Sequence, residues 1–234
     1  MNINFVDLGL PSGTLWGDRN LGADAPEKVG DYFRFGELNP LTDKSQKYKS
    51  IPTIREESAE YRVNTNIACT IYDVAQTNFN INLCIPNILQ LNELFMCCNK
   101  EYIKIGTIEG MRFIGRNGAQ IFLPAGGRME NGISVKDNSF FVENEYGPDD
   151  KINYGVETWG FYWGSNRFYY KPETSYQKEG SLAVGFAFSK NYIGTEISPC
   201  HQGFLIRPVR YVNQSDNKWE KLNYFIVSRK YNKS

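Results

Sequence analysis

The stretch Val6-Asp7-Leu8-Gly9-Leu10-Pro11-Ser12-Gly13-Thr14-Leu15-Trp16, followed by Gly30-Asp31-Tyr32-Phe33-Arg34-Phe35-Gly36-Glu37, decides how the rest of the chain is read. Short apolar runs surround Leu10-Pro11-Ser12-Gly13, a turn in which proline fixes one backbone dihedral and glycine relieves another. The pattern predicts short strands over residues 3–20. Asp24-Ala25-Pro26-Glu27 then reads as a helix start, with Asp24 as N-cap and proline in the first turn. Gly30 ends that short helix, and residues 32–35 resume as extended chain.

Beyond this opening, Asn87 and Gln90 form a capping box ahead of a stripe made of Ile88, Leu91, Leu94, Phe95 and Cys98. One amphipathic helix over residues 88–99 follows from it. Residues 111–116 and 119–123 flank Asn117-Gly118, a dipeptide that suits a type I′ hairpin turn because both central positions accept positive φ. Residues 182–188 and 203–207 read as further strands. With no βαβ rhythm and no internal repeat, the class is α+β: short antiparallel strands, one clear helix and long loops.

The 234 residues carry 26 Lys plus Arg against 26 Asp plus Glu, so no basic field gathers phosphates and no nucleic-acid partner is expected. His201 is the single histidine, which removes histidine triads and multi-histidine metal sites, and no phosphate-binding glycine loop is present. Glu143, Glu145, Asp149 and Asp150 cluster about Tyr146-Gly147-Pro148 and read as a solvated acidic loop rather than a calcium site. No catalytic residue, metal or cofactor is expected. The five cysteines lack the spacing of a disulfide framework and read as reduced thiols, with Cys97 and Cys98 diverging on the helix as small buried hydrophobes. No apolar run is long enough to cross a membrane, and the start at Met1 reads as a cytoplasmic product without a signal peptide.

Together with Ile121-Phe122-Leu123-Pro124-Ala125-Gly126-Gly127, Gly160-Phe161-Tyr162-Trp163-Gly164-Ser165 and Arg207-Pro208-Val209-Arg210, in this order, the opening motif resembles the Fibrobacter succinogenes major paralogous domain family. The resemblance runs from about Asn4 to Arg210 and implies a C-type-lectin-like fold used for recognition. One domain over residues 1–212 is expected, with an insertion at about 38–80 and an extension over 213–234 that could dock another subunit. Leu83-Cys84-Ile85-Pro86-Asn87 departs from the family's usual Trp-Arg-hydrophobic-Pro-Thr, keeping the proline and the capping position.

In the resemblance Phe161, Tyr162 and Trp163 match a core strand. Ligand contact is therefore expected from the polar and tyrosine-rich positions that follow: Asn166, Arg167, Tyr169, Tyr170, Tyr176, Asn191 and Tyr192. The function these features suggest is a non-catalytic recognition or adhesion module. It would belong to a larger assembly, such as a bacteriophage virion fibre or decoration, and touch a bacterial surface glycan or protein. Other subunits would be held through the 38–80 insertion and the 213–234 tail. A bacterial surface or secreted binding domain, a variable protein of a diversity-generating retroelement and, more distantly, a formylglycine-generating type of enzyme remain alternatives.

Overall fold

The computed structural model describes residues 3–42, 65–130, 133–135, 158–169 and 181–210. Residues 43–64 of the expected insertion, the acidic loop at 143–150 and the 213–234 extension lie outside the described residues. In chain order the strands are β1 (Phe5–Asp7), β2 (Leu15–Gly17), β3 (Thr65–Asn66), β4 (Leu83–Cys84), β5 (Asn99–Ile105), β6 (Ile108–Ile114), β7 (Gln120–Pro124), β8 (Arg128–Glu130), β9 (Ile133–Val135), β10 (Gly160–Tyr169), β11 (Ser181–Phe188), β12 (Ile193–Pro199) and β13 (Val209–Arg210). One α-helix, α1 (Ile88–Cys97), and one π-helical turn, Ala75–Phe79, join them. Mostly antiparallel strands with few helices put the chain in the α+β class.

The sheets have the orders β1-β2-β13-β4, β12-β11-β10-β3, β5-β6-β7 and β8-β9. In the second of these, side chains alternate between two cores, as the two-residue period of a strand requires. Tyr162, Phe186 and Phe188 face one way, toward Leu8, Trp16, Leu91, Leu94 and Phe113. Phe161, Trp163, Ala183 and Ala187 face the other, toward Leu21, Phe33, Phe35, Ile67 and Phe204. Burial on both faces explains why β11 and the first half of β10 are nearly continuous apolar runs.

Arg207 ties these layers together. It is 1% exposed, and its guanidinium donates to Asn20 Oδ1 (2.8 Å), the Gly17 carbonyl (3.2 Å) and the Phe122 carbonyl (2.6 Å). Asn20 in turn donates to the Val29 carbonyl and to the Tyr162 hydroxyl, which donates to the Pro124 carbonyl. Burial pulls the arginine down, to about 10, so it remains charged at neutral pH. Val209, two residues on, pairs with Trp16 of β2 and Cys84 of β4. The quoted opening and closing motifs thus meet in one polar knot.

The capping box of α1 forms as the sequence predicts: Asn87 Oδ1 accepts the Gln90 N–H and Gln90 Oε1 accepts the Asn87 N–H. Glu93, 1% exposed on the same helix, accepts from the Ser12 N–H (2.7 Å) and the Ser12 hydroxyl. The proline turn of the first motif is therefore pinned to the helix. Burial raises the Glu93 carboxyl, against the opposing pull of the Ser12 hydrogen bonds.

Three expectations need correction. Residues 24–29 form turns rather than a helix: Lys28 N–H reaches the Ala25 carbonyl (3.1 Å), but no following apolar stripe propagates the turn. The Asn117-Gly118 hairpin exists, with β6 and β7 as its arms, but Asn117 has no positive φ, so the turn is not type I′. Its amide is instead held by the Asp7 carbonyl and the Ala119 N–H, while Gly118 alone, at φ +82, closes a longer loop. The cysteines are not all reduced: Cys69 and Cys84 form a disulfide, because the β4–β13 pairing carries Cys84 beside the 67–73 turn, a proximity that spacing along the chain does not reveal. Cys98 is buried and Cys97 half-buried, as the helical reading implies.

Two predictions follow from these buried polar groups. Arg207→Lys should lower stability by about 3 kcal/mol in urea unfolding, since a single ammonium cannot reach three separated acceptors and leaves some of them buried and unpaired. Glu93 favours its protonated form in the fold, so its contribution is complete below the unfolded carboxyl pKa and fades as pH rises through the raised folded value. Glu93→Gln should accordingly flatten the stability profile above about pH 4.5 without lowering the acid limb, as read by denaturant midpoints at each pH.

Candidate functional site

Tyr192 sits at the turn between β11 and β12, where the Ser189 N–H reaches the Tyr192 carbonyl (2.8 Å) and the Ser189 hydroxyl accepts the Asn191 N–H (3.2 Å). Its ring is 40% exposed and is backed by Trp159 at a centroid distance of 5.2 Å. Gly194 permits that placement, because a Cβ there would lie 2.8 Å from the Tyr192 hydroxyl. Trp159 stacks on Phe161 (6.0 Å, 18°), Phe161 meets Phe204 (5.3 Å), and Phe204 stacks on Trp163 (4.1 Å, 20°). An exposed tyrosine is thus the outer end of a file of rings running into the core. Such backing removes most of the freedom that a surface side chain would otherwise lose on binding.

Polar groups flank the file. The Arg128 guanidinium lies 5.0 Å over the Phe161 ring, a placement that desolvation strengthens. Burial raises the Glu196 carboxyl, and the charge of Arg128 counters it. Trp159 Nε1 is buried and makes no hydrogen bond. Lys190 and Asn191 are exposed beside Tyr192. A flat ring face bordered by an amide and an ammonium suits reversible recognition of a polar ligand with an apolar face.

The expected ligand residues do not gather in one place. Asn166 is half-buried, and its Oδ1 accepts the Ile88 N–H (2.8 Å) at the start of α1. Arg167 is 9% exposed and its backbone pairs with Thr65 and Ala183. Tyr169 ends β10 opposite Ser181. Asn191 and Tyr192 lie at the other end of the same sheet, beyond the Gly160–Phe188 pair. The strand rise over the seven residues of β11 between those pairs separates the two ends by roughly 23 Å. Tyr170 and Tyr176 lie outside the described residues.

Of the expected positions, Asn191 and Tyr192 belong to the exposed aromatic end, while Asn166 and Arg167 are built into the scaffold. Trp159 heads the aromatic stretch 159–170 that the sequence marks as suggestive, whereas sequence reasoning passed over Arg128 and Glu196; the sheet brings all three to the Tyr192 end. The one local signal was Gly194 two residues after an aromatic. His201 is exposed and Cys200 buried. Among the described residues, the cluster of potential metal ligands is Cys69, Asp73 and Cys84, in which the two sulfurs are bonded to each other. No helix of the described residues is long and apolar enough to cross a membrane.

No protein-family model, curated protein or solved structure matches the chain. The functional reading therefore stands on the residues themselves.

The role of Asn166 separates scaffold from ligand contact. Asn166→Ala should cost about 1 kcal/mol of stability, the usual effect of losing a side-chain acceptor at a helix start, measured by thermal and urea unfolding.

Proposed function

We propose that the protein is a non-catalytic recognition module on a C-type-lectin-like scaffold, and that the β11–β12 turn presents its ligand-binding surface. The observation that carries the reading is the Tyr192 ring, exposed on its outer side and braced by Trp159, with Asn191 and Lys190 alongside. Rigid tyrosines with adjacent amides are the means by which binding loops combine contact area with adaptable hydrogen bonds at low entropic cost. The ligand is a bacterial surface glycan or protein, and the module works within a larger assembly such as a virion fibre or decoration.

A bacterial cell-surface or secreted domain is the second reading. The Cys69–Cys84 disulfide favours use outside a reducing cytosol, and virion and cell surfaces both satisfy that condition. Binding of the purified chain to bacterial cells and to a printed array of bacterial polysaccharides tests the proposal. Tyr192→Ala should reduce retention at least about tenfold while leaving the thermal midpoint within a few degrees of the parent. Binding unchanged by Tyr192→Ala and Asn191→Ala would remove the turn as the ligand surface. Substrate turnover abolished by altering one polar side chain would overturn the non-catalytic reading.

A further inference from the structure

The segments that the disulfide joins already meet without it. Asp73 is fully buried. Its Oδ2 accepts from the Cys69 N–H (2.8 Å) and the Ile85 N–H (3.1 Å), bridging the two segments that hold the sulfurs. Its Oδ1 accepts from Ala75 (3.0 Å) and Gln76 (3.4 Å), which fixes the turn leading into the π-helical segment. Cys84 is held independently by the pairing of β4 with β13. Among the described residues Cys69 is the non-glycine with positive φ, at 60°, and the Asp73 carboxylate holds that turn. The positions of both sulfurs are therefore set by hydrogen bonds and a strand ladder.

We propose that Cys69–Cys84 is a latch closed in the folded chain: the protein folds as a dithiol, and oxidation then locks the 70–83 loop in place. Burial sets the order of events. Cys69 is half-buried and Cys84 is 3% exposed, so a small disulfide such as oxidised glutathione reaches Cys69 first. The Cys69 thiolate forms a mixed disulfide and expels one glutathione thiolate. The Cys84 thiolate then attacks the Cys69 sulfur and expels the second. The two thiols lose two protons and two electrons, and the electrons leave as two reduced glutathiones. Burial pushes Cys98 up to about 11, which keeps it from competing.

The locked loop carries the two most exposed large hydrophobics among the described residues, Ile71 at 74% and Ile81 at 70%. With the latch open it keeps the Asp73 hydrogen bonds, the core packing of Val74, Ala75 and Phe79, and ties such as Asn78 Nδ2 to the Leu38 carbonyl and Gln76 Nε2 to the Ile81 carbonyl, so the restraint is lost at the exposed turns around Ile71 and Ile81. Reduction therefore loosens this loop and leaves the rest of the fold standing. The inference is independent of what the Tyr192 surface binds.

The test uses the full chain purified anaerobically with reductant and the same chain after treatment with oxidised glutathione. Alkylation and intact mass should count five thiols in the first and three in the second. Both forms should melt cooperatively with the same near-ultraviolet circular dichroism, while proteolysis within residues 70–83 is about tenfold faster in the reduced form. The Cys69→Ser, Cys84→Ser double variant should match the reduced form under both conditions. Asp73→Asn, which turns an amide NH2 toward backbone donors, should shift the glutathione midpoint toward the dithiol by about tenfold. A reduced chain without a cooperative melt would make the bond a folding requirement and sink the latch. Equal proteolysis of the two forms, or an unchanged midpoint in Asp73→Asn, would overturn the restraint or its positioning by Asp73.

Discussion

A single buried guanidinium holds the layers of this protein in register. The charge of Arg207 is met by the Gly17 and Phe122 carbonyls and by Asn20, through Asn20 by Tyr162, and at longer range by the Asp18 carboxylate. Such an arrangement is tolerable in a low-dielectric interior only when every donor is aimed at a fixed acceptor. The acceptors come from β2, from the loop after it and from β7, with Tyr162 of β10 joined through Asn20, so the knot forms only when those elements have the right relative placement. It acts as a selector among packings as much as a source of stability.

Around that knot, the β10–β11 ladder divides the interior into two cores by strand alternation, and the same alternation creates the candidate surface. The rings on one face form a file that begins at Trp163 and Phe204 and emerges at Tyr192. The proposed binding surface is the end of the core rather than an appendage. Its rigidity follows from packing, while the exposed polar residues beside it, Lys190 and Asn191, sit on the turn that joins β11 to β12.

Much of the architecture was legible locally. The capping box at Asn87 and Gln90 is satisfied within four residues, so the helix could be read with its boundary nearly correct. Asn117-Gly118 marked a hairpin, but the turn type escaped because Asn117 is held by Asp7, 110 residues away in sequence. The Asp24 helix failed because a cap without an apolar stripe lacks the tertiary packing that sustains most short helices. For the candidate site, tyrosine and asparagine enrichment pointed to Asn191 and Tyr192. The same composition also pointed to Asn166, whose acceptor is taken by the helix start, a partnership 78 residues distant that composition cannot express.

By itself the sequence determined the α+β class, the helix, the hairpin arms and the apolar strand over residues 182–188, because periodicity, caps and turn residues act over a few residues. Only the tertiary structure decided that Arg207 closes the first motif onto the last, that Cys69 and Cys84 bond, and that Trp159, Arg128 and Glu196 assemble near Tyr192. Each of these depends on which strand lies beside which. That choice is made by burying all the apolar faces at once, under the constraint that no buried polar group is left without a partner at large cost.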